Sequence, residues 1–426
     1  MAVVVLTALN ATMVAAVPFQ VGDVFVGVGT GFIKHFNSSG SLIETLNTNT
    51  TCAEQLGMAF DAAGNLYATS SFGTCFGAGK VVKFNNTGGL IGPFGSNYSD
   101  STESITIDAT QNVYVGQPDG TKQILKFDSA GTLLASFSPA TGPRGTDWID
   151  IAADQSTMFY TSEGSAVKRY NVSSSTQLAD FATGLSGPCY ALRIRTNGEV
   201  MVACSNQAYR LNATGGVVQT YPKNASETSF LFALNLDPDG QHFWTASYST
   251  GIVYKYNITS GAQVFSFDAN KLGYAVSGLA IFGEPTVGQP PEVAGRMTGG
   301  GSVFNGTMRV THGFQLSCNA SMVPNKLQVN WGKGNRFHLE SLTTASCTDN
   351  PAIVPNPPAA GFDTYVGNGT GRYNGVPGAT THWIFSDAGE PGSSDSATIH
   401  VWDAGGSLVL SVSGNLDRGN HQAHNQ

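Results

Sequence analysis

Short apolar runs alternating with polar positions, broken by Asp, Asn and Gly, fill most of this sequence. GMAFDAAGNLYATSS, SITIDATQNVYVGQP, IDIAADQSTMFYTSE, ALRIRTNGEVMVACS and LNLDPDGQHFWTAS each place two such runs on either side of a turn. This is the pattern of a β-hairpin. A second hairpin follows each of these, and its turn is built on a shared theme: KHFNSSGSLI, VKFNNTGGLI, LKFDSAGTLL, KRYNVSSSTQL, YRLNATGGVV and YKYNITSGAQV. Anchored on Phe36, Phe84, Phe127, Tyr170, Leu211 and Tyr256, these turns recur every 41 to 48 residues. Two hairpins per unit make four strands, and four-stranded units at this period predict the blades of a propeller. No long stretch has helical periodicity, so the expected class is all-β.

The ends of the array predict how it closes. VGDVFVGVGTGFIKHF begins at what should be a second strand, whereas VSGLAIFGE, near residue 280, has the character of an innermost strand with nothing after it. Joining them completes a sixth blade, so a six-bladed ring is expected over residues 20–284. A Pro/Gly linker over 285–300 follows. Beyond it, VTHGFQLSC, NKLQVNWG, NRFHLESL, ATIHVWD and SLVLSVSG alternate as strands of a β-sandwich over 301–426. Residues 1–19, MAVVVLTALNATMVAAVPF, are apolar and end in small residues, as a secretory signal would. They lack Lys or Arg and carry an Asn-X-Thr triplet at Asn10, which favours an ordered β-strand arm docked on a neighbouring subunit.

Composition narrows the partners. Net charge is −8 with only 21 Lys plus Arg, so no basic face for nucleic acid is expected. Nor is there an apolar run long enough to span a bilayer as a helix. The six cysteines fall into neighbouring pairs, Cys52 with Cys75, Cys189 with Cys204 and Cys318 with Cys347; the first two bracket hairpins, and none has zinc-site CxxC spacing. Matched even pairs predict disulfides and an oxidising, secreted setting.

Twelve asparagines begin an Asn-X-Ser/Thr triplet, where chance gives about five or six. Asn37, Asn85, Asn171, Asn212 and Asn257 occupy the equivalent outer turn of a blade, where Asp128 is the exception; Asn10, Asn49, Asn97, Asn224, Asn305, Asn319 and Asn368 lie elsewhere. A turn wants Asn for its own sake, but turn chemistry does not by itself ask for the hydroxyl two positions on. Glycans ringing the outer rim are therefore expected.

Units such as FDAAGNLYAT followed by KFNNTGG resemble the NHL and gluconolactonase-type repeats of six-bladed propellers. GRMTGGGSVF, VTHGFQLSC, VNWGKGNRFHLESLTTASCTD, GFDTYVGNGTGRYNG, SDAGEPG and LSVSGNLDRGNHQAH resemble the post-COAP-type terminal domain of secreted bacterial proteins. The resemblance implies fold and secretion more than activity. Lactonases and lyases of this shape hold a metal with acids or His at the inner mouth of several blades. The corresponding segments here, SSFG, GQPDG, SEGSA, SNQA and SYST, offer only Asp119 and Glu163, while His35 and His242 lie elsewhere in the ring. No enzyme and no cofactor are expected on that ground. His312, His338, His382, His400, His421 and His424 are scattered over strands and a polar tail. The candidate cation site is instead Asp387, Glu390 and Asp395, three carboxylates in one Gly/Pro-constrained loop of the kind Ca²⁺ accepts.

The sequence thus leads to an extracellular structural protein, a glycosylated subunit that assembles head to tail through its N-terminal strand into a filament. The alternative is a secreted monomeric binding module for a carbohydrate or protein, with Phe72, Tyr98 and Tyr248 lining the ring mouth; a lactonase-like enzyme comes last.

Overall fold

The computed structural model describes residues 19–425 apart from 274, 286–294, 320, 321, 323, 349–352 and 354–359. The arm, with Asn10, therefore lies outside the described residues except for Phe19. The chain divides into a ring unit and a C-terminal unit that part near residue 289.

Six four-stranded antiparallel sheets make the ring. Their innermost strands, Gly278–Ile281, Cys52–Phe60, Ser104–Ile107, Ile149–Ile151, Cys189–Ile194 and Leu231–Leu236, each pack against the next, and the last returns to the first. Closure follows the expected route. Gly278–Ile281 pairs antiparallel with Val24–Gly29, matching Val24 to Ile281 and Gly27 to Gly278. Leu279 and Ile281 are fully buried. Glu284, just past the strand, accepts from Arg193 Nε (3.1 and 3.2 Å), Asn235 Nδ2 (2.8 Å) and the Leu236 N–H, so the closing segment is also tied to the fifth and sixth blades.

The basic–aromatic dipeptide that recurs in the outer turns has a structural reason. Lys83 lies 4.5 Å from the Tyr67 ring centroid and 3.1 Å from Asp61; Lys126 lies over Tyr114 and beside Asp108; Lys255 lies over Trp244 and 2.6 Å from Asp237. Each of these three cations covers a second-strand ring and pairs with the acid of the first hairpin, whereas Arg169 lies over Phe159 and Arg210 pairs with Glu199. In the first blade His35 takes this place, stacked 4.3 Å from Phe25, with Asp23 at 2.8 Å and Glu44 at 3.0 Å. Burial works against its charge, but the hydrogen bonds to Asp23 and Glu44 prevail and hold its pKa above the usual value.

At four of the Asn-X-Ser/Thr triplets the hydroxyl belongs to the turn, whereas Asn171 and Asn257 accept the N–H of Ser173 and Thr259 but not the hydroxyl. Asn37, Asn85, Asn212 and Asn224 accept, through Oδ1, both the N–H and the side-chain hydroxyl of Ser39, Thr87, Thr214 and Ser226 respectively. Asp108 does the same with Thr110 in a sequence that is no glycan acceptor. Where that hydroxyl is bound, the Asx turn gains a further donor from it, although the turns at Asn171, Asn257 and Asp128 form without one from that position. In protein made without any glycosylation machinery, Thr214→Val should cost about 0.5–1 kcal/mol in denaturant unfolding. Asn212→Asp should cost almost nothing, since Asp already serves at 108 and 128. Equal losses for the two would show that the hydroxyl has no part in the turn.

The C-terminal unit is one nine-stranded antiparallel sheet rather than two separate ones. Its strands follow in chain order from Leu408–Asn415 back to Gly295–Asn305, and Arg418–Asn425 pairs on the far side of Gly295–Asn305. The sheet curls around its own core, in which Met297, Val329, Phe337, Trp383, Ile399 and Val412 meet, giving the sandwich-like packing expected. Burial alternates along Met308–Ser317, as the sequence pattern requires. The Gly-rich run assigned to the linker is strand from Gly295 onward. Its triple glycine lies between His421 and His312 on the flanking strands, whose backbones leave no room there for a Cβ.

Four histidines in this unit, His312 and His421 buried and His382 and His400 half-buried, are held neutral. Burial lowers His312 to about 3 and His382 and His421 to about 4, and it also lowers His400. The folded unit binds fewer protons at these sites than the unfolded chain, so its stability falls as pH drops from the unfolded value near 6.5 toward 4. Asp395, raised to about 6 by burial, works in the opposite direction but is one group against four. Hydrogen-exchange protection of strands 308–317 and 376–386, corrected for intrinsic rate, should decline between pH 7 and 4.5; constant protection would contradict this.

Candidate functional site

One equivalent position in each blade lies near the start of the innermost strand, five residues before the residue that opens the first-hairpin turn. Around the ring it reads Ser277, Leu56, Glu103, Asp147, Tyr190 and Phe232. Glu103 and Asp147 lie at the innermost strands, away from the ends of the second strands where Asp119 and Glu163 stand. Aligning the units on the turn would have found them.

Both carboxyls are buried, at 2% and 0% exposure. Neither oxygen of Asp147 has an N–H or hydroxyl donor, so a proton shared with the Glu103 carboxyl is the hydrogen bond open to it. Burial first, then mutual repulsion, pushes Glu103 well up; burial and the charge of Glu163 lift Asp147 to about 7. Arg144 covers the pair. Its Nη2 lies 3.2 Å from Glu103 and 2.5 Å from Asp119, and its Nη1 lies 2.7 Å from Glu163. The guanidinium also lies over the Phe72 ring at 5.6 Å. Thus Asp119 and Glu163, the two acids legible in the sequence, converge on one cation. Phe72 (φ 64°) and Glu163 (φ 51°) touch that cation from left-handed backbone, a conformation a bulky side chain seldom adopts without a compensating role.

The other side of the mouth is aromatic. Tyr190 stacks on Phe230 at 5.2 Å, Phe230 stacks on Tyr248 at 4.9 Å, and Phe232 lies 5.0 Å from Tyr190 and 5.2 Å from Tyr248. The Tyr248 hydroxyl donates to Glu54 at 2.8 Å, returning the circle to the second blade. Two of the three disulfides hold this rim. Cys52–Cys75 ties the strand leading to Glu54 to the loop after Phe72, and Cys189–Cys204 fixes the residue beside Tyr190. The mouth is therefore preorganised, with charged and aromatic halves held on a rigid ring.

The remaining candidates fall elsewhere. Tyr98 lines a cavity of about 410 Å³ on the flank of the second blade, with Phe94 and Pro93, not the mouth. A wider groove of about 600 Å³ on the C-terminal sheet is lined by Gln315, Gln328, Asn330 and His338. Asp387, Glu390 and Asp395 do not converge on a point; among the described residues no three acids, histidines or cysteines are placed to hold a metal. Asp395 accepts the Ala388 and His421 N–H groups, Asp387 accepts those of Gly389 and Ala423, and exposed Glu390 accepts from Asn420 and Gln422. The first two cap the outer edge of the last strand, Arg418–Asn425, and satisfy N–H groups that would otherwise invite another strand. Cys318–Cys347 closes the third expected disulfide, and no free cysteine is present among the described residues. Three disulfides suit an oxidising, extracellular setting. No described helix is long and apolar enough to cross a membrane.

No family model matches the chain, and no curated protein does. Solved structures match the ring. A chain in the crystal structure of a nidogen/laminin complex aligns with a TM-score of 0.50 at 15% identity, covering 62% of this chain and all of that one. A protein of unknown function from Bacteroides caccae gives 0.48 at 16% identity, covering 61% of this chain and 98% of that one. The WD40 propeller domain of Doa1 gives 0.47 at 11%, covering 62% and 83%. At such identities the likeness is one of fold.

Proposed function

We propose that this protein is a secreted binding module whose ring mouth takes a saccharide. The observation that carries this reading is the junction, within one rigid rim, of stacked aromatic faces and planar charged groups. A pyranose ring offers an apolar C–H face and a rim of hydroxyls. Tyr190, Phe230 and Tyr248 suit the face, while Asp119 and Glu163, held in place by Arg144, suit the hydroxyls. Glu103 and Asp147 lie too deep to touch a ligand and instead fix Arg144, so the reading is one of binding rather than turnover.

The filament reading has less to stand on. It required open edges on the C-terminal sheet, and Asp387 and Asp395 occupy one of the two. The test of the binding reading is a glycan array probed with the intact protein and with Tyr248→Ala and Phe230→Ala. Saccharide binding by the parent that both variants lose by tenfold or more supports the mouth. Binding that survives both substitutions, or capture of no saccharide at all, would overturn it.

A further inference from the structure

Resting on that reading of the mouth, we infer that the saccharide it selects carries a protonated amine: an amino sugar in preference to a neutral, N-acetylated or acidic one. Three carboxylates, Glu103, Asp119 and Glu163, meet a single guanidinium and a fourth, Asp147, is buried beside Glu103, so even with protons on the Glu103/Asp147 pair the mouth keeps an excess of negative charge. The net charge of −8 adds long-range attraction for cations and repels uronic or sulfated sugars.

The hydrogen-bonding inventory points the same way. The Arg144 guanidinium already donates to Asp119 and Glu163, which leaves the acceptor oxygens of these two partly exposed acids as the groups a ligand meets beside it. The site is rich in acceptors and short of free donors, and an ammonium brings three donors and no acceptor. Arg144 also shows how this site holds a cation, over the face of Phe72 with carboxylates at its edges. An ammonium on a sugar stacked against Tyr248 would meet the same combination. Asp119 and Glu163 are reachable, with 26% and 22% of their side chains exposed.

The experiment is calorimetric titration of the full chain at about pH 5.5, where an amine is charged. The probes are three sugars of equal length: a β-1,4-glucosamine tetramer, its N-acetylated counterpart and cellotetraose. The glucosamine tetramer should bind at least tenfold tighter than the other two and lose most of that margin in high salt. Glu163→Gln and Asp119→Asn should each erase most of the preference, while Tyr248→Ala should weaken all three sugars together. Equal affinity for all three, abolished by Tyr248→Ala, would overturn the amine preference and leave the mouth as a saccharide site. A preference for glucosamine that persists in Glu163→Gln and Asp119→Asn would also overturn it. Binding of none of the three would overturn both.

Discussion

Gly278→Val is expected to open the ring. A side chain at this position would collide with the main-chain carbonyls of Gln55 and Leu56 in the neighbouring blade, and backbone cannot move aside as a flexible side chain can. The closing strand would have to lift off Val24–Gly29, exposing Leu279 and Ile281 and the inner edge of the first blade. A loss of about 4 kcal/mol or more follows, in the range reserved for core overpacking and broken sheets. Chemical unfolding should show the lower midpoint, and hydrogen exchange should rise first along residues 24–29 and 278–281. Gly313→Ala is the control: nothing lies near the added methyl and its backbone is unstrained, so a change within about 0.5 kcal/mol is expected. If Gly278→Val unfolds like the parent, closure through this strand is wrong.

Arg144→Ala should be nearly as costly. It leaves Glu103 and Asp147 buried without their cation and Asp119 and Glu163 facing each other, and breaking a buried ion pair from one side costs about 3–5 kcal/mol. The loss should depend on pH. Asp147 is raised from its ordinary 3.8 to about 7, so the folded ring holds a proton that the unfolded chain has released. The associated stability is fully present below about pH 4 and is lost as pH rises toward 7. Without Arg144 both acids should rise further, so the variant should recover much of its deficit at pH 5 and be at its weakest above pH 7. A deficit independent of pH would mean that the guanidinium does not counter these carboxylates.

Repetition made the ring readable. Six copies of a turn fix strand direction, period and the outer face, and the orphan strand at VSGLAIFGE fixes closure, because each is a local pattern repeated often enough to average out its exceptions. Even the cation before each outer turn was visible, although its partner ring and acid, as in Lys83, Tyr67 and Asp61, belong to other strands and could not be named in advance. The mouth was half visible. Asp119 and Glu163 sit in loops, where an acid is conspicuous, whereas Glu103 and Asp147 are neighbours only once the blades are set side by side, 44 positions apart. Arg144 lies in the irregular connection to an innermost strand, and Ala53, Asp100, Gly187 and Ser229 stand at the equivalent position of other units, so no repeat could flag it.

In the C-terminal unit, alternation gave the strands but not their order. Nothing local in LSVSGNLDRGNHQAH shows that the last strand crosses over to pair with Gly295–Asn305. For the same reason the carboxylates of SDAGEPGSSD looked like cation ligands: the N–H groups of His421 and Ala423 that they accept lie more than twenty residues away.

The most direct test of the ring mouth as the working surface is hydrogen exchange of the full chain with and without the saccharide that binds best on the array. The account predicts slowed exchange confined to segments around 72–76, 117–121, 142–147, 162–164, 188–191, 230–232 and 248–250, which surround the axis on one face of the ring. Protection appearing instead along the groove at 311–339 of the C-terminal sheet, with the mouth segments unchanged, would contradict it.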